Sequence, residues 1–385
     1  MAKIYFIAGE ISGDFIGSRI IRHLRNNKEL EFTGIGGKRM EETGITKSLF
    51  PISEISLMGF IEIIPKFLKI KRLINLTVDD IIKSAPDILI TIDSPGFTYR
   101  VAKRLKKILP SLKMIHIVAP SVWAYKPRRA IKYAKIYDCL FALLPFEPPY
   151  FTKVGLDCRY IGHPIIEQEF YNDKLALREE FKIMNGTKIL CVTAGSRRGE
   201  ILRHLPIFIP AINNIAENHH RLTVIFTLAD PSHEKIIQPF LINTKFNYVF
   251  SNERLKSYAI ADLALAKSGT NILEIAASNT PMIVAYKLNI FSFFIIKLLI
   301  KIKYACLINI IAGKEIIPEL IQFNCCSTLI TSKLEELLLS PQKSHAQIVE
   351  SQAVLKELGF KSSQTPSLSA AKIIEKEFLK KNFDS

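Results

Sequence analysis

The sequence predicts an α/β protein built of two doubly wound, Rossmann-like domains, and three observations carry that expectation. Short β-branched runs alternate with amphipathic helical patterns, the rhythm of a parallel sheet covered by helices on both faces. That rhythm runs twice, broken at Gly162-His163-Pro164 and a polar, charged stretch from Glu167 to Arg178. And 385 residues are too many for one typical core but comfortable for two. Strands of the first series are expected at Ile4–Ala8, Glu31–Ile35, Ile88–Ile92, Met114–Val118 and Cys139–Leu143, with helices at Ile16–Leu24, Tyr99–Ile108 and Arg128–Ala134. The second series gives strands at Ile189–Thr193, Leu222–Leu228, Tyr248–Ser251, Leu263–Ala266 and Met282–Ala285. Its helices are expected at Glu200–Ala216, Glu234–Leu241, Leu255–Ala259 and Asn271–Ala277. The expected division is 1–166, 167–360 and a C-terminal segment, 361–385, packing back on the first domain. Within that segment Ser367–Lys381 reads as one amphipathic helix behind a Ser/Gln/Pro connector.

Hydrophobic residues make up 48% of the chain, enough for two cores, and the formal charge is +16. So basic a balance points to an anionic partner, whether nucleic acid, acidic membrane or phosphorylated substrate. The alternative is surface lysine in a Lys- and Ile-rich composition. Nucleic acid is disfavoured, because the lysines are not interleaved with aromatics and no RNA-binding signature is present. Met1-Ala2-Lys3 runs straight into an apolar strand, so no secretory signal is expected. The longest apolar candidate for a span, Leu288–Ile296, is about half the roughly 18–20 residues a membrane crossing needs. The expected location is therefore cytoplasmic. The six cysteines lack C-x-x-C spacing and the eight histidines do not pair with them, so free thiols and no metal site are expected.

In doubly wound sheets ligands bind at the carboxyl ends of strands, so the loops after each strand carry the chemistry. The first strand leads into Gly9-Glu10-Ile11-Ser12-Gly13-Asp14. Its glycines allow close backbone approach, and a helix starting near Asp14 would turn its amides toward a ligand. The competing reading is an ordinary βα turn with Ser12 or Asp14 as N-cap. The loop is not G-x-G-x-x-G, and no acidic residue clearly closes the second strand, which disfavours a dinucleotide and an NAD oxidoreductase. Asp93-Ser94-Pro95-Gly96-Phe97 puts a carboxylate at a strand's carboxyl end in a proline-fixed turn, suited to a general base or, alternatively, to a helix N-cap. Ala119-Pro120-Ser121-Val122-Trp123-Ala124-Tyr125 holds the only tryptophan, which stacks on a sugar, lines an acyl channel or packs in the core.

In the second series, Ala194-Gly195-Ser196-Arg197-Arg198 precedes a helix, and Gly, Ser and Arg at a helix N-terminus suit a diphosphate. The spacing is not that of a P-loop. Lys267-Ser268-Gly269-Thr270 leads into a helix carrying Glu274, whose carboxylate suits ribose hydroxyls. Together the two loops read as a nucleotide-diphosphate pocket, although Ser268–Thr270 alone reads equally as capping.

Two stretches mix bulky apolar residues with lysine in the manner of interfacial helices. One runs through Leu57, Phe60, Ile64, Phe67 and Ile70 with Lys66, Lys69, Lys71 and Arg72. The other runs through Phe291, Phe294, Leu298 and Ile300 with Lys297, Lys301 and Lys303. Each reads as membrane-facing or as a core helix snorkelling its lysines. Two such stretches on a basic chain favour the membrane.

Taken together and in order, these loops resemble the lipid A disaccharide synthase family. The resemblance rests on Ala8 to Asp14, Asp93-Ser94-Pro95, Pro120-Ser121-Val122-Trp123-Ala124, Gly162-His163-Pro164, Gly195-Ser196-Arg197 and Ser268-Gly269-Thr270 with Leu273-Glu274. It continues through Asn309 and Ala312-Gly313-Lys314-Glu315 to Pro318-Glu319-Leu320, and so spans nearly the whole chain. It implies a GT-B fold, two Rossmann-like domains facing across a cleft, and an inverting, metal-independent transfer with no cofactor. The implied donor is UDP-2,3-diacylglucosamine (a UDP-diacylglucosamine) and the implied acceptor 2,3-diacylglucosamine 1-phosphate, lipid X. The product would be a β-1,6 disaccharide. It implies Asp93 as the base and Gly195, Ser196, Arg197, Ser268, Gly269, Thr270, Glu274, Asn309 and Glu315 on the donor side. Gly9, Glu10, Ser12, Gly13, Asp14 and Trp123 would shape the acceptor side. It also implies a peripheral protein on the cytoplasmic face of the inner membrane, with a homodimer as one assembly. Thr98 stands where the family usually carries Asn, Gly96 is unusual there, and Ala194 and Ile308 replace frequent prolines. The competing functions are another UDP-sugar enzyme of the same fold, a peptidoglycan glycosyltransferase or a UDP-sugar 2-epimerase, and a non-catalytic membrane-binding relative.

Overall fold

A computed structural model of the chain describes residues 2–27, 29–45, 47–55, 63–290, 293 and 302–379, with backbone alone for 63–67. The chain forms two compact units, Met1–Pro164 with Lys361–Ser385, and Ile165–Phe360. The strands of the first are β1 (Ala2–Ala8), β2 (Leu30–Ile35), β3 (Ile88–Ile92), β4 (Lys113–Ile117), β5 (Cys139–Ala142) and β6 (Asp157–Tyr160). They form one parallel sheet in the order β2-β1-β3-β4-β5-β6. Its helices are α1 (Ile11–Leu24), α2 (Lys38–Thr43), α3 (Ile63–Ser84), α4 (Thr98–Ile108), α5 (Arg129–Ala134) and α6 (Pro148–Thr152).

All five residues of β3 are buried, as a central parallel strand covered on both sides requires. Alternation then sorts side chains between two cores. Tyr5, Ile7 and Leu89 join one buried cluster, while Ile4, Phe6, Ile88, Ile90 and Ile92 join the other. Fully burying each Ile or Leu contributes about 1.5–3 kcal/mol.

The second unit repeats the plan with β7 (Lys188–Thr193), β8 (Leu222–Thr227), β9 (Asn247–Ser251), β10 (Leu263–Ala266), β11 (Met282–Tyr286) and β12 (Glu319–Ile321). Their parallel order is β12-β11-β10-β7-β8-β9. Its helices are α7 (Lys174–Glu180), α8 (Arg198–Asn218), α9 (Glu234–Ile237), α10 (Arg254–Ile260), α11 (Asn271–Ala277), α12 (Leu307–Ala312), α13 (Ser327–Leu339) and α14 (Pro341–Glu357). The polar stretch after Glu167 contains α7, begun by Asp173, whose carboxylate accepts from Ala176 N at 3.0 Å.

The last helix, α15 (Pro366–Ile373), continues as a π-helical turn over Ile374–Leu379 and belongs to the first unit. Ala370, Ala371 and Ile374 enter the cluster that holds Ile16, Ile20 and Leu24 of α1. Arg159 of β6 pins the turn, donating to Glu377 Oε2 at 2.7 Å.

Several expectations shift: the helix expected over Glu234–Leu241 is α-helical only to Ile237, and the tail divides into α15 and the π-helical turn. Helix α1 begins at Ile11 instead of near Asp14: Glu10 holds the N-cap position, and Asp14 N already donates to Glu10 O at 3.0 Å. Edge strands β6 and β12 were not expected, since Asp157-Cys158-Arg159-Tyr160 and the three residues of β12 offer no apolar run.

Candidate active site

The order of the first sheet reverses between β1 and β3, which makes their carboxyl ends the switch point where doubly wound sheets take ligands. Gly9 follows β1 and Asp93 follows β3. A Cβ on Gly9 would lie 2.1 Å from Ser94 Cβ, so only glycine lets the two turns meet. Asp93 (φ 52°) and Ser94 (φ 47°) are both left-handed, a strained pair of non-glycine residues. Asp93 N donates to Ile117 O (3.0 Å), and the Thr98 hydroxyl donates to Asp93 O (2.7 Å) and Ser94 O (3.0 Å). Thr98 thus ties the turn to the start of α4.

Asp93 is not the N-cap of α4. Phe97 holds that position, and the Asp93 carboxylate accepts from Ser94 N at 2.7 Å. Burial raises its pKa, opposed by the Ser94 amide. A half-buried carboxylate with an upward-shifted pKa at a strand end has the character of a general base.

The other residues of the first loop divide. Ser12 is exposed on the first turn of α1, and Glu10 precedes the helix without a side-chain cap bond. Asp14, 4% exposed, accepts from Gly37 N (2.8 Å), Arg39 N (3.2 Å) and Met40 N (3.1 Å). It caps α2 across the chain and not its own helix. Trp123 donates Nε1–H to Glu147 Oε1 at 3.1 Å and stands edge-on to Phe146. Glu147 is buried, also accepts from Leu144 N (3.1 Å), and is pushed up to about 7 by burial against those bonds. Glu147 was not foreseen, because its partner lies 24 residues away. Beneath the site, His116 is buried with Nδ1 2.7 Å from Thr91 Oγ1, and burial lowers its pKa to about 3.

The second sheet reverses between β7 and β10, and the two expected loops follow those strands. Gly195 must be glycine, since a Cβ would sit 2.6 Å from Glu200 Cβ. Ser196 and Arg197 are exposed, with Arg197 as N-cap of α8. Glu200, in the first turn, accepts from Ser196 N (3.0 Å) and from the Tyr286 hydroxyl (3.1 Å). Burial would raise its pKa, but the Lys267 charge and these bonds lower it on balance. The loops are joined by Lys267 N donating to Thr193 O (3.1 Å) and Asn271 Nδ2 to Thr193 Oγ1 (3.0 Å). Behind them His204, stacked on Phe208, is 2.5 Å from Ala194 O through Nδ1, while Nε2 accepts from Lys287 N at 3.1 Å. That acceptor role fixes the neutral tautomer with the proton on Nδ1.

Thr270 is exposed as N-cap of α11, Gly269 lies between the loop lysine and Asn271, and Ser268 donates to Ala305 O at 2.8 Å. Glu274 does not reach out freely. It is buried, and its Oε1 accepts from Arg254 Nη2 (2.8 Å) and Gln168 Nε2 (2.9 Å). Asn309 is fully buried and spent: Nδ2 donates to Ile317 O and Glu319 Oε1, and Oδ1 accepts from Ile316 N and Ile317 N. It shapes the loop and offers no polar atom to a ligand. Glu315 is exposed beside it, 3.4 Å from Glu319 N.

Of the apolar stretches, Phe60, Phe291, Phe294 and Leu298 lie outside the described residues, as do the side chains of Ile64 and Phe67. No helix among the described residues is long and apolar enough to cross a membrane.

A family model described as lipid-A-disaccharide synthetase matches residues 4–374. The chain belongs to the lipid-A-disaccharide synthetase family. A relative from Rickettsia canadensis, named lipid-A-disaccharide synthase, is 71% identical over 98% of both chains. The family assignment makes the chain a glycosyltransferase. The fold agrees: the S. aureus MnaA–UDP co-structure has a TM-score of 0.66 at 14% identity, covering 99% of this chain and 97% of that one. Acinetobacter baumannii MurG has a TM-score of 0.57 at 12% identity, covering 98% of this chain and all of that one. These likenesses place the chain in the GT-B fold.

Proposed function

We propose that this chain transfers 2,3-diacylglucosamine from its UDP-activated form to the 6-hydroxyl of 2,3-diacylglucosamine 1-phosphate, giving the β-1,6 disaccharide 1-phosphate and UDP. Family membership supports the reaction. The observation that carries the mechanism is the uncapped, half-buried Asp93 carboxylate at the switch point of the first sheet. Asp93 takes the proton from the acceptor hydroxyl as its oxygen bonds to the anomeric carbon. The bond from that carbon to the diphosphate oxygen breaks, and UDP leaves with both electrons. Attack opposite the leaving group inverts the centre.

The loops after β7 and β10 take the diphosphate through Gly195, Ser196, Arg197 and the N-terminus of α8, with Ser268, Gly269 and Thr270 as the second wall. Positive charge and fixed amides where negative charge grows are the largest catalytic resource of such a site. Glu274 acts on the ribose while held by Arg254, and Asn309 acts by positioning its loop. On the acceptor side, Gly9, Glu10, Ser12, Gly13 and Trp123 shape the surface, with Asp14 supporting it from below.

The acyl chains call for a lipid surface, and we place the enzyme on the cytoplasmic face of the inner membrane. Leu68 and Leu76 are exposed on α3 beside Lys71 and Arg72, which supports contact there. The test is incubation with UDP-2,3-diacylglucosamine and the 1-phosphate acceptor in mixed micelles, read by mass spectrometry. A disaccharide 1-phosphate supports the reaction. Release of UDP without it, or epimerisation of the sugar, contradicts it.

A further inference from the structure

One oxygen of the second unit gathers the donors of an anion site. Glu200 Oε2 receives Ser196 N at 3.0 Å, Ser196 Oγ at 3.4 Å and the Lys267 ammonium at 3.4 Å. The same ammonium is 3.4 Å from Ser196 Oγ. These groups stand between the two loops of the switch point and at the N-terminus of α8, a helix of 21 residues. Backbone amide, hydroxyl, ammonium and helix terminus together are what a phosphate oxygen seeks.

The contacts of Lys267 are also long. A charge-assisted N–H···O bond normally measures about 2.7–2.9 Å. Its side chain is 18% exposed and that of Glu200 is 12% exposed, so the cation has given up most of its water for two loose contacts. The backbone of Lys267 is meanwhile fixed, its N–H shared between Thr193 O (3.1 Å) and Thr193 Oγ1 (3.2 Å). A Cβ built on Gly269 would lie 3.5 Å from the ammonium, so the open face of the second loop lies against it.

We propose that Lys267 is a further donor-binding residue: when a nucleoside diphosphate enters, its ammonium leaves Glu200 for a phosphate oxygen and neutralises charge on the departing diphosphate. The proposal rests on the nucleotide reading of this unit given above. Glu200 keeps the Tyr286 hydroxyl on its other oxygen, 3.1 Å away, and so remains in place when Lys267 departs. Paired with Glu200 and beside Ser196, the ammonium is already held between the two loops, so its transfer to a phosphate oxygen is a short movement that keeps the reorganisation on binding small.

The test is calorimetric titration of the full chain with UDP, UMP and uridine, for the wild type, Lys267→Met, Lys267→Gln and Lys267→Arg. A phosphate contact by a charged group is worth about ten- to hundredfold in affinity. Lys267→Met should therefore weaken UDP by at least about tenfold, leave uridine within twofold, and slow kcat for transfer. Lys267→Arg should recover most of the loss. Lys267→Gln, which keeps a polar head on the side chain without the charge, serves if the methionine variant does not fold, and should show the same selective loss. Unchanged UDP affinity in both neutral variants, or equal losses for UDP and uridine, makes Lys267 a pin for the loop and overturns the proposal alone. If the wild type binds uridine but not UDP, or neither, the nucleotide reading itself fails and takes this proposal with it.

Discussion

Replacing Gly9 by alanine tests whether the close approach of the β1 and β3 turns sets the position of Asp93. The added Cβ would lie 2.1 Å from Ser94 Cβ and 2.2 Å from Ser94 Oγ. Rotating Ser94 moves the hydroxyl but not its Cβ, so the backbone must yield. Carbon atoms rest about 3.5–4.0 Å apart, so the turns must separate by at least about 1.4 Å. Ser94 cannot retreat without Asp93, because both are left-handed and both carbonyls are held by Thr98. A displacement of about 1 Å in a reacting group costs on the order of a hundredfold in rate, and overpacking costs about 1–3 kcal/mol in stability. Gly9→Ala should lower kcat for disaccharide formation by about a hundredfold, with KM for the UDP donor little changed. Gly13→Ala is the companion, since its Cβ meets neighbours no closer than 3.4 Å and stability should hold or rise. A Gly9→Ala enzyme with wild-type kcat and thermal midpoint would refute the reasoning.

Three further outcomes follow from buried polar groups. His116 has its pKa lowered to about 3, so it is neutral when folded, and its contribution is complete above the unfolded pKa of about 6.5 and lost as pH falls. Urea denaturation should show about 3 kcal/mol less stability at pH 4 than at 6.5 from this residue alone, a slope that His116→Asn should flatten. Glu147 titrates near 7 against the indole of the only tryptophan, so Trp123 emission should change with a midpoint near neutral pH and lose that transition in Glu147→Gln. Asn309→Ala orphans the buried Ile317 amide and carbonyl and the Ile316 amide, and should cost about 3 kcal/mol by thermal unfolding.

The interior strands were legible because parallel sheets bury whole apolar runs: Ile88–Ile92 and Leu263–Ala266 begin and end where the pattern places them. Strand β6 was not, because an edge strand such as Asp157–Tyr160 need not be apolar. The loops after β3, β7 and β10 were legible for the same reason as their strands. What each polar residue in them does was less so. Asp14 and Asn309 look like ligand-facing groups in a linear chain, yet both spend their oxygens on backbone amides. Conversely Glu147 and His204 carry no local mark, because their partners lie 24 and 83 residues away, and Lys267, although it sits in a legible loop, meets Ser196 across 71 residues. Spacing reveals what neighbours do for each other, whereas such pairs exist only once the sheet has set its strand order.

The most direct measurement is the split between binding and transfer in Asp93→Asn. Asparagine keeps an oxygen for the Ser94 amide but accepts no proton at neutral pH, so the turn survives and the base does not. UDP affinity by calorimetry should stay within twofold, while single-turnover formation of the disaccharide falls by about a hundred- to ten-thousandfold. Transfer at the wild-type rate in this variant would contradict a carboxylate base at Asp93.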